Sequence, residues 1–320
     1  MEPAVAAWFA RRSSRAADWP LDALLTAKGS TTVSVVLPAL DEASTVGAIV
    51  DAVRRDLVDV ADPLVDELVV LDSGSTDATA RVAAGAGARV VHRDDVLPDV
   101  PSVAGKGEAL WRSLAATTGD VVVFIDADLT AFRSSFVTGL LGPLLTDSTV
   151  QFVKAMYDRP LTDGAVVHPA GGGRVTELVA RPLLNLHWPQ LAGFVQPLAG
   201  EYAAQRRLLE RLPFATGYGV EIALLIDIVG QAGLDAMAQV DLGERRHRHH
   251  SDLRLGRMAA EIWQTALARL HQDGDLQTVE PTLTQFVREA SEYVPVTHDV
   301  TALERPPMLS VLGDDRLPGR

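Results

Sequence analysis

The chain has 320 residues, a formal net charge of -13 and 47% hydrophobic residues, enough for one large α/β domain, with or without a C-terminal elaboration. It contains no cysteine, which excludes disulfides, thiolate catalysis and cysteine-ligated zinc, and fits a cytoplasmic protein. The acidic balance argues against nucleic acid as a partner, since such binding needs a basic face. Charged residues interrupt every long apolar run, so we expect neither a signal peptide nor stable membrane insertion.

Strands and helices alternate along the first half of the chain. Residues 1–30 are predicted as an N-terminal helical arm, and apolar residues at helical spacing predict helices at 43–57 and 107–118. Ser75 or Thr76 is expected to cap the helix after the second strand. Predicted strands lie at 33–38, 66–74, 88–93 and 120–128. Short connections between alternating elements indicate parallel βαβ units and a doubly wound, mostly parallel sheet.

Beyond about residue 150 the alternation becomes less regular. A glycine-rich turn leading into a helix is predicted at 171–184, and a short strand leading into a helix at 198–206. The remaining predicted elements are a helix at 217–233, a strand at 236–243 and an amphipathic helix at 251–270. The Pro-rich end of the chain is expected to wrap the surface or fray.

Three polar clusters directly follow predicted strands. PALDE occupies 38–42, DSGSTD occupies 72–77 and DAD occupies 126–128. Ligands of doubly wound sheets bind at the carboxyl ends of the strands, so we expect the three clusters to lie at one edge of the sheet and to form a binding site.

Asp126 and Asp128 stand two residues apart beyond a buried strand. Positions i and i+2 of an extended chain share a face, and carboxylate oxygens suit a divalent cation that also binds diphosphate. Asp128 is therefore predicted as a direct metal ligand, with Asp126 nearer the nucleoside. The alternative for Asp126 and Asp128 is an ordinary turn at the end of a strand. The alternative for Asp41, in the first cluster, is that it caps a helix.

Two glycine-containing segments have the composition of anion sites. Lys106 lies between glycines at a predicted helix start, where an ammonium and backbone N–H groups suit a phosphate or a uracil carbonyl. In GGGRVTEL, glycines allow a close backbone approach, Arg174 offers a bidentate fork and Thr176 a hydroxyl. The alternatives are an exposed lysine in a mobile loop and a flexible loop with a solvated arginine.

Two further features remain open between a structural and a functional role. Glu221 begins an otherwise apolar helix, where it interacts with the helix dipole or hydrogen-bonds sugar and acceptor hydroxyls as a base. The run RRHRHH at 245–250 is either a solvated basic segment or a phosphate-and-metal site.

Taken in order, VVLPALDE, VVLDSGSTD, GKGEALWRSLAAT, VVFIDADL, GGGRVTELVARPLL, GEYAA and GYGVEIALLID resemble the glucosyl-3-phosphoglycerate synthase family, across about residues 30–270. These actinobacterial enzymes are close to mannosyl-3-phosphoglycerate synthases. The resemblance implies a GT-A glycosyltransferase that transfers glucose from UDP-glucose to the 2-hydroxyl of 3-phosphoglycerate with retention, for glucosylglycerate and methylglucose lipopolysaccharide synthesis. It also implies Mg²⁺ or Mn²⁺ and a homodimer.

The resemblance also implies a role for individual residues, with Glu221, Asp128 and Arg174 in catalysis. Metal binding falls to Asp128 and His247. The donor-binding residues would be Pro38, Ala39, Leu40, Asp41, Glu42, Ser73, Lys106, Asp126, Ala127, Tyr218, Gly219, Val220, Glu221, Arg245, Arg248 and His250. The acceptor-binding residues would be Gly173, Arg174, Val175, Thr176 and His249. The family commonly has Asn where this chain has His249, which predicts acceptor binding with an altered pH dependence.

The implied organisation divides the chain into four parts. A helical arm at 1–30 precedes a nucleotide-sugar-binding GT-A subdomain at 31–150, an acceptor-binding and dimerisation region at 151–295 and a tail at 296–320. No carboxylate is convincingly placed as a nucleophile, so front-face substitution is favoured, with Glu221 an orienting base at most. The competing hypotheses are GDP-mannose use, a sugar nucleotidyltransferase, a polyprenyl-phosphate sugar transferase and a noncatalytic nucleotide-sugar-binding protein.

Overall fold

A computed structural model of the chain describes, with side chains, residues 2–159, 173–245, 251–270, 282–286 and 294–313. The backbone alone is described at 161–163, 166–168, 287–289 and 292–293.

The strands are β1 (Ser13–Arg15), β2 (Val33–Ala39), β3 (Glu67–Asp72), β4 (Arg89–His92), β5 (Val121–Phe124), β6 (Phe152–Asp158), β7 (Leu161–Asp163), β8 (Val166–His168), β9 (Tyr202–Gln205), β10 (Phe214–Ala215), β11 (Met237–Glu244), β12 (Thr282–Glu289), β13 (Glu292–Asp299) and β14 (Glu304–Arg305). The α-helices are α1 (Pro3–Arg12), α2 (Leu21–Lys28), α3 (Val46–Val53), α4 (Thr79–Ala86), α5 (Lys106–Ala116), α6 (Ser135–Thr146), α7 (Arg181–His187), α8 (Arg206–Leu209), α9 (Val220–Ala232), α10 (Asp252–Leu270) and α11 (Met308–Leu312).

An eight-stranded sheet in the order β1-β11-β6-β9-β5-β2-β3-β4 forms the centre of the molecule. Every neighbouring pair is parallel except those that β9 makes with β5 and β6. The first residues of β9 therefore lie at the edge where its neighbours end. The predicted α/β class and the mostly parallel, doubly wound sheet are confirmed.

Apolar side chains cover both faces of this sheet, because β2 and β5 are buried along almost their whole length. Val35 and Leu37 face one core, which also contains Leu140 of α6. Val36 faces the other core, with Leu110 of α5. A strand buried on both faces has a continuous apolar sequence, which explains why VSVVLP was recognisable.

Several predicted boundaries were wrong. β5 ends at Phe124, so DAD lies in the following turn rather than on the strand. Neither Ser75 nor Thr76 caps α4, whose N-cap is Ala78. The predicted helical arm also contains β1, which pairs with β11 at the edge of the sheet.

The end of the chain packs against the domain. β14 pairs with β10, and the indole of Trp111 donates a 2.9 Å hydrogen bond to the Pro306 carbonyl. Met308 is fully buried. The expectation that this segment wraps the surface is met for its described part. Among the described residues, no helix is long and apolar enough to cross a bilayer.

Candidate active site

The loops after β2, β3 and β5 meet at one edge of the sheet, as expected from the polar clusters. The Ser73 N–H donates to the Ala39 carbonyl at 2.9 Å, which joins the first two loops. The hydroxyl of Thr45 donates to the Ala127 carbonyl at 2.6 Å, which joins the first loop to the third. The three segments therefore form one connected surface.

Within this surface Asp41 organises the loops. It adopts a left-handed backbone with φ of 58°, a conformation that aspartate tolerates better than most residues. Its carboxylate accepts a 2.8 Å hydrogen bond from the Thr76 N–H. The next loop residue towards the strand, Leu40, is 54% exposed, and it offers an apolar surface beside the polar groups.

Lys106 begins α5 in a loop that is tightly packed, so the alternative of an exposed lysine in a mobile loop was wrong. A Cβ on Gly107 would lie 1.8 Å from the Ala215 carbonyl oxygen, and one on Gly105 would lie 2.2 Å from the Thr216 carbonyl oxygen. The two glycines are required for this contact, which fixes the lysine against the segment that leads into α9.

The ammonium of Lys106 joins two predicted site residues. Its Nζ lies 2.5 Å from Asp126 Oδ1 and 2.9 Å from Glu221 Oε1. Gly200 packs against this ion pair, since a Cβ there would lie 2.2 Å from Asp126 Oδ2 and 2.4 Å from Lys106 Nζ. The side chain of Glu221 is 7% exposed, so the ion pair is shielded from solvent on this side.

Arg245 forms the second centre of the cluster. Its Nη2 lies 2.7 Å from Asp126 Oδ2 and 3.2 Å from Asp128 Oδ1, and its Nε lies 2.8 Å from Glu201 Oε1. Glu201 is fully buried and accepts a 2.7 Å hydrogen bond from the Tyr157 hydroxyl. Both aspartates of DAD therefore contact one guanidinium although they do not lie on a strand.

Burial and opposite charges act against each other in this cluster. Burial alone would raise the pKa of Asp126, but the charges of Lys106 and Arg245 outweigh it and hold that pKa below its usual range. Burial also raises the pKa of Asp128, which Arg245 only partly opposes. The pKa of Lys106 is raised, because Asp126 and Glu221 outweigh the effect of burial.

The carboxylate of Asp128 fits a divalent cation. It is a hard oxygen ligand, its side chain is 21% exposed, and its burial favours the neutral acid, a tendency that a bound cation would counteract. The described residues contain no group of three or more acidic or imidazole ligands. The second predicted ligand, His247, lies outside the described residues, as do Arg248, His249 and His250.

The predicted acceptor residues lie at a second position on this edge. Gly173 has φ of 79°, and Thr176 is 2% exposed with a hydroxyl that has no hydrogen-bond partner in the described part of the chain. Val175 is buried beside them. Arg174 instead contacts Asp252 at the start of α10.

Residues 218–221, around the start of α9, contact both the ion-pair cluster and α10. Glu221 enters the ion-pair cluster, whereas the hydroxyl of Tyr218 accepts a 3.1 Å hydrogen bond from Arg254 of α10. Gly219 packs on Thr265, and Val220 is buried in the core. Glu221 lies in the first turn of α9, as the dipole explanation requires, but its ion-pair partner is Lys106.

Sequence reasoning missed Glu201 and Tyr157, which contact Arg245, and it gave no role to the buried Lys154. Glu201 lies in GEYAA, which carried the resemblance but was given no chemical role. An isolated carboxylate before an apolar strand was a signal that could have found it. Lys154, in the middle of β6, is fully buried, and Nζ lies 4.8 Å from the ring centroid of Tyr202. Burial lowers the pKa of Lys154 to about 7.

Residues 34–170 match the family described as Glycosyl transferase family 2. The glucosyl-3-phosphoglycerate synthase of Mycolicibacterium paratuberculosis is 50% identical over 95% of this chain and 92% of its own. The chain belongs to the glucosyl-3-phosphoglycerate synthase family.

Solved structures of the Mycobacterium tuberculosis member of this family have the same fold. One, in complex with Mn²⁺, UDP-glucose and phosphoglyceric acid, has a TM-score of 0.81 and 49% identity, covering 92% of this chain and 95% of that one. Another, with Mg²⁺ and UDP, has a TM-score of 0.84 and 48% identity, covering 94% and 99%. Each structure holds a divalent cation together with a uridine nucleotide, the combination predicted for this site.

Proposed function

We propose that this protein is a divalent-metal-dependent glucosyltransferase that moves glucose from UDP-glucose to the 2-hydroxyl of 3-phospho-D-glycerate. The observation that carries the proposal is the partly buried ion-pair cluster at the carboxyl edge of the sheet. In it Lys106 pairs with Asp126 and Glu221, and Arg245 pairs with Asp126 and Asp128. The relative that contains UDP-glucose and phosphoglyceric acid supports the choice of substrates.

The nucleotide would lie along the loops after β2 and β3. Leu40 offers an exposed apolar surface to the base, and the loop from Pro38 to Glu42 and Ser73 offer polar groups to the nucleoside. Asp126 and Ala127 follow at the end of β5. In this arrangement the diphosphate would lie over Asp128 and Arg245, and the sugar towards Glu221.

Lys106 and Arg245 position the donor and stabilise the charge that develops as UDP departs. Both are already held by buried carboxylates, so little reorganisation accompanies the reaction. A bound Mg²⁺ or Mn²⁺ at Asp128 supplies Lewis-acid stabilisation of the diphosphate.

The transfer proceeds with retention by substitution on one face of the sugar. The acceptor 2-hydroxyl oxygen bonds to the anomeric carbon on the side from which the diphosphate oxygen leaves. That oxygen keeps the electron pair of the broken bond and takes the hydroxyl proton. Glu221 is held by Lys106 at 2.9 Å, which suits a residue that orients sugar hydroxyls rather than a nucleophile.

A donor panel tests the proposal directly. Release of nucleotide diphosphate is measured from UDP-glucose, GDP-glucose and GDP-mannose with 3-phosphoglycerate, with Mg²⁺ and with a chelator. Turnover that is fastest with UDP-glucose and lost on chelation is expected. Preference for GDP-mannose would identify a mannosyl-3-phosphoglycerate synthase. Failure to release a nucleoside diphosphate with any phosphorylated acceptor would indicate a noncatalytic binding protein.

The enzyme would act in the cytoplasm as a homodimer. The long helix α10 supports an interface, because it leaves Leu253 and Trp263 40% and 44% exposed. Light scattering coupled to gel filtration would give twice the 34.2 kDa of the chain. A monomer mass would contradict the proposed dimer and would leave the proposed glucosyltransferase activity unaffected.

A further inference from the structure

Arg159 is a charged residue at the acceptor side that has no assigned role. It follows β6, and its Nη2 donates a 2.9 Å hydrogen bond to the Tyr157 hydroxyl. Its guanidinium also stacks on that tyrosine, with Cζ 5.2 Å from the ring centroid. Arg159 is therefore held in place by an aromatic ring that belongs to the donor-side cluster.

The Nε of Arg159 is buried and has no hydrogen-bond acceptor in the described part of the chain. The hydroxyl of Thr176 has the same property, and Thr176 is 2% exposed. Leaving a charged or polar N–H or O–H group buried without a partner is costly, so such groups in a binding site indicate a ligand that supplies the missing oxygen atoms.

Gly173 lies close to both Arg159 and Thr176. A Cβ on Gly173 would lie 3.6 Å from Arg159 Cδ and 3.9 Å from Thr176 Oγ1. With φ of 79° and no side chain, Gly173 leaves the backbone accessible between them. The Arg159 side chain and the Thr176 hydroxyl therefore both approach the backbone of Gly173.

The Arg159 side chain lies on the donor side of Arg174. From Arg159 a continuous set of contacts runs through Tyr157 and Glu201 to Arg245, which holds Asp126. Arg174 instead contacts Asp252, whose side chain is 85% exposed. Arg159 is thus the arginine on the reaction-centre side, and Arg174 the one towards solvent.

We infer that Arg159 binds the carboxylate of the acceptor, while Arg174 binds its phosphate. This assignment rests on the proposed function. In 3-phosphoglycerate the carboxylate is attached to the carbon that carries the reacting 2-hydroxyl, and the phosphate lies at the other end of the molecule. The anion that lies closer to the sugar donor is therefore the carboxylate, and a guanidinium recognises a carboxylate with paired hydrogen bonds.

The test compares Arg159→Gln with the wild type against two ligands. Loss of one charge-assisted pair predicts a rise in KM for 3-phosphoglycerate of about 10- to 100-fold. KM for UDP-glucose should stay within about twofold of the wild-type value. Glycerol 3-phosphate, which has no carboxylate, is used as a competitive inhibitor, and its Ki should not change. A rise in that Ki equal to the rise in KM would overturn the assignment.

Tyr157→Phe separates ligand binding from a structural role. It removes the hydrogen bonds of Tyr157 to Arg159 and Glu201 but keeps the guanidinium. If Arg159 acts only by supporting Tyr157, this variant will raise KM for 3-phosphoglycerate as much as Arg159→Gln does, and the inference fails. If Arg159 binds the carboxylate, the variant keeps the wild-type preference for 3-phosphoglycerate over glycerol 3-phosphate.

Two further variants keep the result interpretable. Arg159→Lys retains the charge but loses the paired hydrogen bonds of the guanidinium, so it should raise KM for 3-phosphoglycerate by a smaller factor than Arg159→Gln. If Arg159→Gln does not fold, the same comparison is made with Arg159→Lys, and an unchanged KM for 3-phosphoglycerate in that variant would contradict the assignment. Arg211→Gln, at an exposed position, is the matched control and should leave every constant unchanged. Absence of transfer by the wild type would overturn the proposed function, whereas normal transfer with an unchanged KM in Arg159→Gln would overturn this inference alone.

Discussion

The donor side and the acceptor side of the site differ in how their polar groups are satisfied. On the donor side Lys106, Asp126, Glu201 and Arg245 are each bonded to an opposite charge. On the acceptor side, polar groups of Arg159 and Thr176 are buried without a protein partner in the described residues. The ion pairs of the donor side are formed before substrate arrives, although the Nζ of Lys154 beneath them is buried without a hydrogen-bond partner among the described residues. The groups of Arg159 and Thr176 are completed by a ligand.

This difference is consistent with the chemistry of the proposed reaction. The donor brings a diphosphate whose charge increases as it leaves, and fixed cations stabilise that charge most effectively. The acceptor brings two anionic groups that must be recognised before transfer. Unpaired hydrogen-bond donors of the protein discriminate strongly against molecules that lack these anionic groups. Four predictions test this contrast.

The largest expected effect is that of Asp128→Ala. Removing the one described carboxylate that is predicted to bind the metal should lower turnover about 1,000-fold, because metal stabilisation of the leaving diphosphate contributes several kcal/mol. Mn²⁺ binding, followed by electron paramagnetic resonance with UDP present, should weaken in parallel. Wild-type turnover in this variant would remove Asp128 from the metal site.

Gly200→Ala tests whether the ion pairs of the donor side must be fixed. The new Cβ would overlap Asp126 and Lys106, and a displacement of about 1 Å in such groups costs about 100-fold in turnover. Gly230→Ala is the matched control, since its Cβ meets no atom within 4 Å and the helix should gain about 0.5 to 1 kcal/mol. Equal activity of the two variants would contradict the requirement for fixed ion pairs.

Lys154→Met tests the cost of buried charge beneath the donor side. The pKa of Lys154 falls to about 7 in the folded protein, below its unfolded value, so the unfolded chain binds more protons between these two pKa values. The free energy of unfolding should therefore rise as pH increases above 7. Lys154→Met lacks this pH dependence and should be more stable than the wild type at pH 7. The difference in the free energy of unfolding between the two proteins should shrink by about 1 to 2 kcal/mol between pH 7 and 8.5. Urea titrations that give parallel pH profiles would disprove it.

The smallest effect is expected for Asp252→Asn on the acceptor side. Arg174 must leave the exposed Asp252 to bind phosphate, and exposed ion pairs contribute at most about 1 kcal/mol. KM for 3-phosphoglycerate should therefore fall about two- to fivefold. Asp235→Asn, which breaks the exposed pair with Arg11, is the control and should leave KM unchanged. A higher KM in Asp252→Asn would mean that Asp252 helps to bind the acceptor.

Much of the fold and part of the site follow from the sequence. Strands buried on both faces are continuous apolar runs, so β2 and β5 were recognisable, and the polar residues after them indicated the functional edge. Lys106 and Glu221 were predicted as site residues, and the structure brings them together. Their direct contact was not predicted, because 115 positions separate them and no local pattern records a long-range ion pair.

The parts that escaped prediction depend on three-dimensional packing. Nothing in the local sequence indicates that Glu201 meets Arg245, or that Tyr157 links Glu201 to Arg159. The short strand β1 was missed because its three residues acquire strand geometry only by pairing with β11. The turn that contains DAD was placed on the strand because IDADL continues its apolar character up to Asp126.

The reversed direction of β9 has a practical consequence for labelling this protein. Its first residues, beside Glu201, lie at the ligand-binding edge, whereas Arg206 after its last residue donates to the Gly119 carbonyl at the opposite edge. Glu210 pairs with Arg206, and the exposed Arg211 directly follows Glu210. A fluorophore attached at position 211, through a cysteine introduced into this cysteine-free chain, would be a single-site label that leaves the substrate pockets unobstructed.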